Sequence, residues 1–488
     1  MSALDIAQIS ACLKQINLTE RRRRERLWSV DMRTINQVGL LDLPDCVLVY
    51  ILELLDETSR TSACSASTQL FNLWIEYTQE ENEFPVIYDE NENCLTLENL
   101  PADVLLVIFK YLDISTLGRV AQVCKLFRSL SYSDFLWMRA GASSLGSNQL
   151  DTLTTSKSQA KLGAREKVRI GENWKNGKCK ENILAVQNNK YMPRLQLEKD
   201  VLWVSWGKTI WCHPRGKDGA INPKTKQMFR GHTDDVSRFV VGQGMLVSGG
   251  RDRSICAWNS ATGDFMFARR YCHNSEITAV DVTGKGRILV SGSRDKSIIV
   301  WRIEQEQEFK PILVKQLGIN ERVWSLSINQ ETGFTMVGTA GTRGVPPLRL
   351  LDLHQGQVLL DLGRELRNGA GMLDLTWLTG NTLLSCGYDT CARLWDTRCG
   401  TYVSTWEEPY DESVYSLCTD GVNCLVTGTS RHGRVRVWDL RCTKPQYMKY
   451  ASPAVRGRSS PVYSLVMDSV LGIPFLSDCK FSFISVKK

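Results

Sequence analysis

The strongest constraint on the fold is a repeat in the second half of the chain. Four stretches align: "LVSGGRDRSICAWN" (Leu246–Asn259), "LVSGSRDKSIIVWR" (Leu289–Arg302), "LLSCGYDTCARLWD" (Leu383–Asp396) and "LVTGTSRHGRVRVWD" (Leu425–Asp439). Each reads as an apolar strand, small residues, a tight polar turn and an alternating strand that ends at tryptophan. The same interval of 43 residues separates Trp258 from Trp301 and Trp395 from Trp438. Between the two pairs, "PLRLLDL" sets Leu351-Asp352 in a Trp-Asp slot, and the insertion "GTRGVPP" accounts for the extra length. A period of about 40–45 residues with four short strands per unit predicts β-propeller blades. A lone four-stranded sheet cannot bury both faces, so blades pack radially against their neighbours.

Within the repeat, His232, Ser248, Asp252 and Trp258, and again His273, Ser291, Asp295 and Trp301, recur at matching positions. In this the chain resembles the WD40 repeat proteins, whose blades carry a buried hydrogen-bonded tetrad of these residue types. Later units keep only Ser385, Asp389 and Trp395, then Thr427 and Trp438. "LQLEKDVLWVSWGKTIWCHP" (Leu195–Pro214) reads as a degenerate first blade, preceded by the strand "NILAVQ" (Asn182–Gln187). "SPVYSLVMD" (Ser460–Asp468) opens a last blade that lacks a Trp-Asp ending and has room for two short strands, near Ile473–Ser477 and Phe481–Val486. The expectation is a mainly β protein: a seven-bladed WD40 β-propeller over 177–488, its last blade degenerate and completed by the early strand.

Ahead of it lies "LTLENLPADVLLVIFKYLDISTLGRVAQVCKLFRSLSYSDFLW" (Leu95–Trp137). Leu100-Pro101 starts a helix, with proline in the first turn. Leu105, Ile108, Phe109 and Leu112 give it one apolar face. Ser115 offers a cap for a second helix carrying Leu117, Val120, Ala121, Cys124, Phe127 and Leu130, and Trp137 closes a third. Leu-Pro, the apolar helix, "VCKLFRSL" and "LW" in this order resemble an F-box, the small α-helical domain that binds the adaptor Skp1. The resemblance puts Leu100, Pro101, Leu105, Ile108, Leu112, Leu117, Val120 and Val123 in the family's Skp1-contact slots. Upstream, "LLDLPDCVLVYILELLDE" (Leu40–Glu57) repeats the first half at a constant offset and then decays, as either a second, degenerate F-box or an amphipathic helix. The expected segments are a basic, partly helical stretch (1–39), this F-box-like segment (40–77), an acidic linker (78–94), the F-box (95–140), a second linker (141–176) and the propeller.

An F-box followed by WD40 repeats is the architecture of substrate receptors in Skp1–cullin–F-box (SCF) ubiquitin ligases. The resemblance implies Skp1 as partner, cullin and RING subunits through it, and a target protein held by the propeller for ubiquitination and degradation. The alternative is a non-degradative WD40 scaffold whose helical N-terminus binds another partner. Two rim positions per blade are candidates for target contact. One precedes the tetrad Asp and holds Arg251, Arg294, Tyr388 and, where that Asp is lost, Arg431. The other follows the first apolar residue of the innermost strand and holds Ser237, Thr278, Trp324, Leu373, Tyr415 and Tyr463. Arginines and aromatics converging on one rim suit a phosphorylated or acidic peptide. The same residues could instead pair with nearby carboxylates and fill the channel.

Catalysis has no residues to carry it. Two of the five histidines are assigned to tetrads, and His213, His354 and His432 fall on different blades. The glycine-rich turns recur with the blade period, so they are not phosphate loops. No cofactor or metal is expected: the 16 cysteines show no paired Cys-x-x-Cys motifs and read as reduced, buried small residues. A net charge of +7 includes one dense cluster, "RRRRER" (Arg21–Arg26), with no aromatic-interleaved stripe behind it. Nucleic acid is therefore not an expected partner. No apolar run is long enough to span a membrane. The expected location is intracellular, cytoplasmic with a nuclear pool.

Overall fold

The computed structural model describes residues 102–140, 163–175, 179–186, 192–216, 221–222, 227–283, 287–304, 310–431, 433–442, 445–451, 461–468, 473–477 and 480–486. Leu100, Pro101, the upstream F-box-like segment, the arginine cluster and His432 lie outside them. The chain divides into two compact units, one holding 102–140 with 163–168 and the other the described residues from 169 onward.

The first unit is helical: α1 (Ala102–Phe109), α2 (Ile114–Val120), α3 (Lys125–Ser131), α4 (Asp134–Ala140) and the start of α5 (Ala164–Lys175). Two sequence expectations need correction. The cap of α2 is Asp113, not Ser115; its backbone is extended and its carboxylate accepts from the Thr116 amide at 2.8 Å. A carboxylate both satisfies that amide and meets the positive end of the helix dipole. The expected second helix is also two helices, because Cys124 is extended and its Sγ caps α3 by accepting from the Phe127 amide at 3.4 Å. The break lets Phe127 meet Phe109 edge to face at 5.4 Å. Leu105, Phe109, Leu117, Val120, Phe127, Leu136 and Trp137 form the core, joined by Ala164 and Val168. The Trp137 indole is anchored by donating to the Ser131 carbonyl at 2.6 Å.

The second unit is almost wholly β. Six antiparallel sheets each take four consecutive strands, at 195–230, 236–269, 277–318, 323–362, 372–407 and 414–451. A further four-stranded sheet joins the two ends: Cys179–Val186 pairs with Lys480–Val486, followed by Ile473–Ser477 and Ser464–Asp468. The innermost strands are Leu195–Leu197, Val236–Gly242, Ile277–Val282, Val323–Ile328, Met372–Trp377, Val414–Thr419 and Ser464–Asp468, and they neighbour one another in this order. This is a propeller arrangement.

Neighbouring sheets approach closely where the repeat places glycine after its small polar residue. A Cβ on Gly249 would stand 2.5 Å from Ile277 Cγ2, and one on Gly428 would stand 2.6 Å from Val462 Cγ1. Both distances are shorter than packed carbons allow. Side chains then tie strand to strand. Thr278 Oγ1 donates to the Val323 carbonyl at 2.6 Å and Ser325 Oγ to the Met372 carbonyl at 2.8 Å. Gln196 both donates to and accepts from the Val241 backbone, at 2.7 and 2.8 Å. The Leu195 amide donates to Ser464 Oγ at 3.1 Å, linking the terminal sheet to the 195–230 sheet. Among the described residues, Trp203, Trp395, Trp406 and Trp438 are the largest fully buried side chains. Among the described residues, no helix is long and apolar enough to cross a membrane.

Candidate functional site: the propeller rim

The innermost strands begin alike. Their pairing slips by one residue at Ser237, Thr278, Trp324, Leu373 and Tyr415, the second-position rim candidates. A bulge leaves its extra residue out of the ladder and re-aims its side chain. Five strands therefore turn one residue each out of register at the same point of the blade.

Most of the candidates come together in one arc. Arg251 Nε lies 3.5 Å from Glu276, and Arg294 pairs with the same carboxylate. The Arg294 guanidinium stands over the Trp324 ring, 4.6 Å from its centroid. Trp324 meets Tyr388 edge to face at 6.2 Å, Tyr388 meets Tyr415 at 6.1 Å, and Tyr415 meets Tyr463 at 6.2 Å. Such aromatic pairs at 4.5–7 Å are attractive beyond their burial. The Tyr463 carbonyl accepts from Arg194 at 2.8 Å, a half-buried arginine that is not among the sequence candidates. Burial pushes the Arg194 guanidinium down to about 10. Burial, followed by the neighbouring Tyr415, raises the Tyr388 phenol. Arg431 is exposed; among the described residues its carbonyl, accepting from Thr429 Oγ1 at 2.8 Å, is its one side-chain-mediated link. It does not join the arc.

Below the rim the channel is crossed. Arg238 donates to Asp374 at 2.7 Å, linking the 236–269 and 372–407 sheets, which are not neighbours. The other Asp374 oxygen accepts from the Leu417 amide at 3.2 Å. Burial disfavours the Arg238 charge, but Asp374 outweighs it and raises the guanidinium above its ordinary value. Burial also lifts the nearby Asp281 to about 6, against the Ile328 amide bonding at 2.8 Å. No sequence pattern marks this network: Arg238 and Asp374 lie on different repeats and no spacing rule pairs them.

The tetrads are structural. His273 bridges Asp295 (3.0 Å) and Ser291 (2.9 Å), and Trp301 Nε1 donates to the same serine at 3.1 Å. His232 bridges Asp252 and Ser248 at 3.0 and 2.7 Å, while Trp258 packs edge to face on Phe229 and Phe265. Burial lowers His273 below its ordinary value, so it is a neutral hydrogen-bond bridge near pH 7. Where repeats lack the histidine, an arginine two residues before the Trp slot pairs with a carboxylate. Arg349 pairs with Asp361 at 2.8 Å, Arg393 with Asp389, and Arg436 with Glu408 through Nε at 2.7 Å. The substitution was visible in the aligned repeats, where Cys256 and Ile299 occupy the same column.

In the helical unit, Leu105, Leu117 and Val120 are consumed by its own core, and Ile108 and Leu112 are half-buried against it. Val123 is 52% exposed, and Leu126, Tyr132 and Met138 are exposed with it. The apolar surface open to a partner is therefore narrower than the eight candidates implied. Among the described residues, no group of His, Cys, Asp and Glu is placed to hold a metal.

Comparison with known proteins fits both units. The F-box-like family model matches residues 97–141, and the WD domain, G-beta repeat model matches 223–259 and 267–302. F-box/WD repeat-containing protein 4 of Homo sapiens is 38% identical over 384 residues, covering 76% of this chain and 88% of the human protein. Its Mus musculus counterpart is 37% identical over 380 residues, with the same coverage of each chain. A Dictyostelium discoideum F-box/WD repeat-containing protein A-like protein is 23% identical over 215 residues, 36% of this chain and 18% of that one. Ubiquitin-ligase and SCF roles fit F-box proteins, and their WD40 adaptors are typically non-catalytic. With an F-box-like match ahead of the WD-repeat matches, and over a third of the aligned residues identical across most of the human and mouse proteins, the chain belongs to the F-box/WD-repeat family.

Proposed function

We propose that the chain is the substrate receptor of an SCF ubiquitin ligase inside the cell. The helical unit docks Skp1 and the propeller rim holds the target. Its contribution is positional: holding a target beside the transferring subunits raises its effective concentration there. The observation that carries the reading is the pairing on one chain of an F-box-like unit with exposed apolar residues and a propeller whose rim side chains converge. The seven sheets act as blades of one closed ring, giving the rim a fixed curvature.

The test is a pull-down of the full chain with Skp1, comparing wild type, Leu100→Ala/Pro101→Ala, Val123→Asp and the upstream Leu43→Ala/Pro44→Ala. Capture by wild type and upstream variant, lost in the other two, supports the receptor. No capture by wild type overturns it in favour of a non-degradative scaffold. Loss confined to Leu43→Ala/Pro44→Ala would move the docking site upstream.

A further inference from the structure

Among the described residues, two adjoining N–H groups on the rim, Trp324 Nε1 and Arg294 Nε, are buried without an acceptor. They belong to stacked groups, the guanidinium 4.6 Å from the ring centroid. A buried donor left unpaired costs about 1–3 kcal/mol, so a ligand oxygen toward which these half-buried side chains turn on binding would recover that cost. The surrounding charge decides which oxygen. Arg251 and Arg294 both face Glu276, and Arg251 also lies 3.9 Å from the buried Asp235. Two cations are matched by two carboxylates. An arriving phosphate would meet no surplus positive charge and would have to displace or repel Glu276. A neutral carbonyl meets the same donors without that opposition. Beside them the surface is aromatic, through Tyr388, Tyr415 and Tyr463.

We propose that the rim recognises an unphosphorylated peptide segment of the target, with aromatic or apolar side chains on the tyrosine arc and a neutral carbonyl oxygen accepting from Trp324 Nε1 and Arg294 Nε. This rests on the receptor reading only in that the peptide belongs to a target; the binding chemistry stands without Skp1. The competing chemistry is a phosphopeptide held by rim arginines outside the matched cluster. Arg367, whose guanidinium donates to the Tyr388 carbonyl at 2.6 Å, and the exposed Arg431 would hold it.

The probe is a phage-displayed random peptide library, which carries no phosphate, selected on the full chain. The best peptide is then made with and without phosphoserine and titrated by fluorescence anisotropy. Selected peptides should be rich in aromatic residues. Affinity should fall about tenfold in Trp324→Phe, which keeps a ring and loses the N–H, and at least as much in Tyr415→Ala. It should change little between about 50 and 300 mM salt. Glu276→Gln should raise affinity for the phosphorylated form about tenfold by freeing the two guanidinium groups. Thermal melts of each variant separate lost binding from lost folding. The proposal is overturned if no selected peptide depends on Trp324 and Tyr415. Tighter, salt-sensitive binding of the phosphopeptide, abolished by Arg367→Ala/Arg431→Ala, would overturn it too. Skp1 capture from the same preparations tells failure here from failure of the receptor reading.

Discussion

Asp235 shows how the rim holds charge at a cost to the fold. It is buried beside Arg251, and burial lifts its carboxyl from the ordinary 3.8 to about 6 despite the guanidinium. A carboxyl raised in the folded state is easier to ionise once unfolded. Stability is therefore unpenalised below about pH 4, and is lost as pH rises through the folded value. Above that window the cost is roughly 2–3 kcal/mol. Asp235→Asn does not titrate, so it should melt higher than wild type at pH 7.5, with the advantage vanishing near pH 4. Thermal denaturation across that range measures it; an advantage independent of pH would mean that Asp235 acts through packing rather than charge.

At the scale of the element, the blade solves one problem in two ways. In five sheets a polar pair lies beside the strand that ends in the Trp slot. The 236–269 and 277–318 sheets use His with Asp, and the three sheets that follow use Arg with a carboxylate. A buried ion pair is poorly replaced by half of itself: removing one partner typically costs about 3–5 kcal/mol. Arg436→Met leaves Glu408, only 2% exposed, without its cation and should destabilise by about that much in urea unfolding. Adding Glu408→Gln should restore most of the loss. A single variant as stable as wild type would show the pair to be dispensable. The periodic features were legible in the sequence because they recur: strand, glycine, turn and Trp, and with them the rim positions and tetrads. The arginine column was legible too, since Arg349, Arg393 and Arg436 each stand two residues before the Trp slot. Neither the Asp113 cap nor the Cys124 break was visible, since each depends on which residue turns extended just ahead of a helix. The Arg238–Asp374 crossing depends on sheets meeting across the channel, and no local pattern records that.

For the whole molecule, the two ends of the repeat region matter most. Cys179–Val186 has its partner strand at Lys480–Val486, at the far end of the chain. The innermost strand of that sheet is tied to the 195–230 sheet through the Leu195 amide and through the buried Arg215–Asp468 ion pair. If these contacts close a ring, every blade has two neighbours and none has a free face, so stability is shared by all. An open stack would behave differently, with its end blades fraying first. Deleting 469–488 distinguishes them. It removes two strands, leaves Cys179–Val186 without a partner and strips the outer side of Ser464–Asp468. In a closed ring the deletion should lower the Tm by roughly 10 °C, about 6–7 kcal/mol for a domain of this size. It should also speed amide exchange in Val236–Gly242, far along the chain from the cut but next to the 195–230 sheet. Exchange quickened only in 179–186 and 461–468 would mean that the terminal sheet is an appendage. The rim would then lose Tyr463 from its arc while keeping Trp324, Tyr388 and Tyr415, so peptide binding would weaken rather than vanish.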